Sequence, residues 1–147
     1  LHRIAVSAFA FFTFVIVFFA SNLITTTESA TLPPNFEDAL VATVGAPTAL
    51  AFTPDGRLLI TTQSGQARVY QNGALLPTPA VNLNSRLCTN SERGLLGVAV
   101  DPDFAANGFV YFYYTLNKTG TCNSTAVNRV ARFVLGASNV INESSET

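Results

Sequence analysis

Two hydrophobic patterns divide the chain. From Ile4 to Ala20 there is no charge, and only Ser7 and Thr13 interrupt the apolar run. Beyond residue 30 the apolar residues come in short runs broken by Gly, Pro, Asn and Asp. Short runs bounded by turn formers predict strands, and no stretch after residue 30 carries a convincing helical period. "ALVATV" (39–44) alternates weakly, "PTALAF" (47–52) ends in the turn "TPDG", and "RLLITT" (57–62) follows. After "QSGQ" comes "ARVYQ" (67–71), then Asn72-Gly73, a strong hairpin signal. Residues 47–76 therefore read as three antiparallel strands.

A second round begins at Gly94. "GLLGVAV" leads into "DPDFAANG", and "FVYFYYTL" (109–116) is a strongly β run rich in Phe and Tyr. A polar loop, "NKTGTCNST", precedes "VNRVARFVLG" (127–136), where Val127, Arg129, Ala131 and Phe133 share one face. "VAVDPDF" repeats "LAFTPDG" 48 residues further on. A unit of several short strands recurring at this period predicts an all-β fold, a β-propeller, with each blade making the same corner at its Pro-Asp turn. Two similar hairpins in a sandwich are the alternative. A propeller needs four blades or more, and residues 31–147 hold about two, ending in "VINESSET", which reads as a polar turn with no terminal strand. The expectation is an N-terminal fragment of a chain of roughly 330–450 residues.

The leader changes the picture of where this fold operates. His2 and Arg3 precede the apolar run, and the next charge is Glu28. Residues 1–30 read as a secretory signal peptide, with Ala20 or Ala30 before the cut, or as an anchor through residues 4–20. The protein is then secreted or periplasmic, or membrane-anchored, with membrane contact only through this segment. Residues 31–147 form the incomplete propeller domain. Export fits two cysteines, Cys88 and Cys122, which form a disulfide or stay as two thiols. Asn117, Asn123 and Asn142 are sequons, relevant only in a host that glycosylates. The net charge is -1, which speaks against a nucleic-acid partner. The only histidine is His2, so no metal site is expected in these residues.

"ERGLLGVAVDPDF" (92–104), together with "PTALAFTPDGRLLITTQSGQARVYQNG", resembles the glucose/sorbosone dehydrogenase family of soluble quinoproteins. The resemblance spans about residues 32–147. It implies a six-bladed propeller holding pyrroloquinoline quinone (PQQ) and calcium. It also implies oxidation of a sugar C1 hydroxyl or aldehyde hydrate, with a histidine base and an external electron acceptor. The matching histidine, the cations that grip PQQ and the calcium ligands belong to segments beyond Thr147, so the 147 residues alone are expected to be inactive. The family often carries Glu where this chain has Thr62.

One position maps onto the family's pocket. Glu92 matches a Gln or Glu that faces substrate, where it can accept hydrogen bonds from sugar hydroxyls. Its plainer reading is a solvated loop carboxylate. Arg93 is a second candidate for substrate contact, with a surface ion pair as its plainer reading. Asp55, Asp101 and Asp103 could pass for catalytic carboxylates, but their Pro-Asp settings make them turn residues. Tyr111, Phe112, Tyr113 and Tyr114 could stack on a sugar, but packing between blades suits a central strand better. A non-catalytic extracellular propeller that binds carbohydrate or protein is the other functional reading, since fold does not fix function.

Overall fold

The computed structural model describes residues 31–147, so the leader read over 1–30 lies outside the described residues. Residues 31–38 contribute a single turn closed by Phe36 N donating to Pro33 O at 3.1 Å. The unit from Ala39 to Thr147 carries the sheets.

The first sheet runs β1 (Pro47–Phe52), β2 (Leu58–Thr62), β3 (Gln66–Gln71) and β4 (Ala74–Leu75), all antiparallel, with β5 (Val81–Asn82) also paired to β3. The second runs β6 (Leu95–Val100), β7 (Phe109–Leu116), β8 (Val127–Leu135) and β9 (Ile141–Asn142). Apart from β5, which returns to β3, neighbours in sequence are neighbours in each sheet. Asn72 and Gly73 have φ of 54° and 81°, the two positive values of a type I′ hairpin.

The sheets face each other across one core. Leu59, Ala67 and Val69 from the first meet Val110, Phe112, Tyr114 and Phe133 from the second, all fully buried. Phe112 and Phe133 place their ring centroids 5.5 Å apart. Burying each such ring stabilises the fold by roughly 1.5–3 kcal/mol. In a sandwich the outer faces would be polar. Here Leu50 and Phe52 on β1 and Val130 on β8 are 63%, 72% and 67% exposed, so each outer face carries exposed apolar side chains. Such side chains suit blades with further neighbours, and the two sheets are adjacent blades of a β-propeller. Tyr113 is accordingly half out at 38%, while Phe112 and Tyr114 on the other face of β7 are enclosed.

Three expectations need correction. Residues 39–44 form no strand, because no neighbouring strand pairs with them. Their Val41, Ala42 and Val44 instead line a groove of about 490 Å³ against Leu50, Leu58 and Ile60. The chain's end is not a bare turn: β9 pairs with β8, and Arg132 and Thr147 exchange backbone hydrogen bonds at 2.9 and 3.0 Å. Glu146 holds this end down by accepting from Tyr114 Oη at 2.5 Å and from Arg86. Burial works against its charge, but those two hydrogen bonds win and lower its pKa.

The third correction concerns the corners, which are not alike. In the first, Gly56 (φ 84°) closes a tight turn onto Thr53. The second is longer and contains a helical turn, α1 (Phe104–Asn107). Asp101 organises it by accepting from Asp103 N, Asn107 Nδ2 and Tyr111 Oη at 2.9, 3.0 and 2.6 Å. What recurs is the polar residue before the proline, Thr53 or Asp101, which folds each corner.

Candidate functional site at the rim

Alternating strand direction sorts the connections onto two edges. The Pro-Asp corners, the Asn72-Gly73 hairpin and the 136–140 turn share one edge. The β2–β3 turn, the loop before β6 and the β7–β8 loop share the opposite edge, the rim.

The corner edge is structural. Arg57 is 4% exposed, and Asp55 meets it through Nε at 3.0 Å and Nη2 at 2.7 Å. Its guanidinium also stands 5.5 Å over the Phe104 ring. The Arg57 hydrogen bond foremost, opposed by burial and helped by Thr53, holds the Asp55 carboxyl down at about 2. Tyr111 foremost, then Asn107, lowers the Asp101 pKa in the same way. Carboxylates kept ionised by fixed donors are poor proton carriers near neutrality, which agrees with reading Asp55 and Asp101 as turn residues.

The rim is built differently. Glu92 is exposed and lines a cleft of about 230 Å³ with Ala46, Pro47, Thr48, Gln63 and Leu96. β1 and β6 each carry a bulge at this end, between Pro47 and Ala49 and between Leu95 and Gly97. Thr48 and Leu96 are the extra residues, and both turn to the cleft. Thr48 Oγ1 donates to Leu95 O at 2.6 Å and ties the two inner strands together.

Arg93 stands beside Glu92 in sequence but is not among the residues lining the cleft. Its Nη1 donates to Cys122 O at 2.9 Å, so it straps the loop before β6 to the β7–β8 loop. Cys88 and Cys122 join the same two loops by a disulfide, with Cα atoms 5.3 Å apart. Sequence reasoning missed Gln63. Its Nε2 donates to Ser91 O at 2.5 Å and Arg93 O at 3.1 Å, the carbonyls on either side of Glu92. The only sequence signal was a polar residue in a turn.

One carboxylate, one amide and one hydroxyl suit a neutral, hydroxyl-rich molecule that donates hydrogen bonds. None of the described residues lining the cleft is cationic, so this segment does not by itself seat an acidic quinone. Among the described residues no three His, Cys, Asp or Glu side chains gather as a metal-holding group.

The comparisons with known proteins agree with this architecture. An uncharacterized protein of Synechocystis is 38% identical over 90 residues, which cover 56% of this chain and 22% of that protein. A Thermus thermophilus protein, described as an oxidoreductase of the glucose dehydrogenase kind, matches at 33% identity and a TM-score of 0.57, over 69% of this chain and 28% of its own. The PQQ-bound aldose sugar dehydrogenase of Streptomyces coelicolor matches at 26% identity and a TM-score of 0.55, over 70% of this chain and 29% of its own. The chain therefore spans under a third of the length of these relatives. The Glucose / Sorbosone dehydrogenase family profile matches residues 44–145, which takes in both blades and the rim loops between them. The chain belongs to the glucose/sorbosone dehydrogenase family.

Proposed function

We propose that these residues are the first two blades of an exported quinoprotein dehydrogenase that oxidises aldose sugars or sorbosone-like aldehydes and passes the electrons through PQQ to an external acceptor. The observation that carries this reading is the family match across both blades, joined to a rim cleft that presents Glu92 to solvent. In this reading Glu92 accepts hydrogen bonds from sugar hydroxyls and orients the ring. Arg93 contributes by fixing the loop that carries Glu92, and the disulfide fixes the neighbouring loop. PQQ supplies the electron sink, and calcium assists it, from blades beyond Thr147. Export rests on the apolar leader and on the pair of cysteines.

The test is to follow the reading frame past Thr147, express the full-length protein, and add PQQ with calcium. Aldose-dependent reduction of a redox dye, absent without PQQ, is the expected result. A continued frame with no histidine to act as base, and no dye reduction, would replace this reading by that of a carbohydrate- or protein-binding propeller. N-terminal sequencing of the protein recovered outside the cytoplasm tests export: a start near residue 21 or 31 is expected.

A further inference from the structure

Gln63 sits where three segments of the rim meet. Its backbone N donates to Ala46 O at 3.0 Å, just before β1, and its carbonyl accepts from Leu95 N at 3.4 Å, at the start of β6. Its side chain spans the loop between, with both hydrogens of one amide nitrogen committed to the Ser91 and Arg93 carbonyls. Two features show how tightly the loop is drawn onto it. Ser91 adopts a φ of 56°, a left-handed conformation that a serine holds only when its surroundings fix it. Gly94 has a φ of 148°, and a Cβ there would overlap the Gln63 carbonyl. Glu92 lies between these residues and lines the same cleft as Gln63.

We propose that Gln63 is a positioning residue for Glu92: by holding the peptide carbonyls on both sides, it keeps the carboxylate over the cleft in a single orientation toward a sugar. This rests on the reading of the cleft as a sugar site. The chemistry demands a donor and excludes an acceptor. Gln63→Glu keeps the shape but sets a carboxylate against two carbonyl oxygens. Gln63→Lys keeps a donor of similar reach.

The experiment uses the full-length protein loaded with PQQ and calcium, with aldose as substrate. Losing a hydrogen bond of this kind corresponds to about a tenfold change in binding. Gln63→Glu is therefore expected to raise KM about tenfold, with kcat within about twofold of wild type, as expected when binding is lost equally from the ground and transition states. Glu92→Ala should match it, the double variant should be no worse than Glu92→Ala, and Gln63→Lys should restore most of the affinity. A second readout needs no turnover. Tryptic cleavage after Arg93 in the folded protein should be about tenfold faster in Gln63→Glu, because cleavage tracks loop opening. If Gln63→Glu fails to accumulate, Gln63→Ala removes the donor without adding charge.

If Glu92→Ala raises KM and Gln63→Glu does not, the proposal is overturned and the sugar reading survives. A fall in Tm with KM unmoved overturns it equally, since that is a structural role only. If Glu92→Ala leaves KM unchanged, or the protein has no dehydrogenase activity, the sugar reading fails and proteolysis alone judges the clamp. Cleavage after Arg93 at the wild-type rate then overturns it.

Discussion

Arg57 Nη1 donates to Asn139 Oδ1 at 3.0 Å, across 82 residues of sequence and from one blade to the other. The same nitrogen reaches Gly136 O at 3.0 Å, and Asn139 Nδ2 continues the chain of bonds to Gln71 Oε1 at 3.0 Å. Removing the guanidinium leaves the half-buried Gly136 and Asn139 acceptors without their charged donor. Arg57→Ala is expected to destabilise by on the order of 2–3 kcal/mol, the cost of lost charged hydrogen bonds with half-exposed Asp55 discounted. Arg57→Lys should recover little, because one ammonium cannot span a planar fork of partners. Urea unfolding of the variants beside wild type checks both.

The same pair sets an acid limit. The Asp55 carboxyl is held at about 2 in the fold against an ordinary 3.8. A depressed pKa contributes stability that is present above the unfolded value and lost as pH falls through the folded one. The stability advantage of wild type over Asp55→Asn should therefore be constant above about pH 5, shrink below that, and vanish near pH 2. Unfolding midpoints of the two proteins across that range are the measurement.

Tyr114 sets an alkaline counterpart. Burial foremost, then its hydrogen bond to Glu146, pushes its phenol up to about 12. A raised pKa contributes stability that is complete below the unfolded value of about 10 and lost as pH rises toward the folded one. Ultraviolet difference titration should show a tyrosine ionising near 12, and Tyr114→Phe should abolish that step. The variant should also lose about 1–2 kcal/mol, since Glu146 forfeits a buried donor.

The disulfide closes a loop with a sequence separation of 34. Cys88→Ser, with Cys122→Ser to avoid a stray thiol, should cost about 3–4 kcal/mol in the chain-entropy account. Thermal unfolding with and without reductant tests this: reductant should lower the wild-type Tm to that of the double variant and leave the latter unmoved.

What could be read from the sequence was whatever is encoded locally. Asn72-Gly73 dictates its hairpin because few residue pairs accept two positive φ values. The Pro-Asp repeat marks two corners because proline and its preceding polar residue fold them from within. The alternation in β8 buries Ala131, Phe133 and Leu135 as a half-exposed strand should. What escaped is what depends on a distant partner. "ALVATV" has a strand's pattern but no strand beside it. Arg57 opens the "RLLITT" run, and nothing local shows that the second blade supplies Gly136 and Asn139 as its partners. Gln63 looked like solvent-facing polarity, because nothing local shows that two carbonyls arrive 28 and 30 residues later. Of the rim residues, Glu92 was reached through a family resemblance. Arg93 beside it turned toward Cys122 because a carbonyl was there to receive it.

The bulges at Thr48 and Leu96 carry a consequence for how this rim can change. The extra residue of a bulge has no partner across the ladder, so a change there leaves the cross-strand pairing of the blade intact. A substitution at position 96 would alter what the cleft offers an incoming molecule while Leu95 stays enclosed in the core. Position 96 is thus a place where the wording can be edited without touching the grammar, whereas Thr48, on the same cleft, also ties the inner strands together.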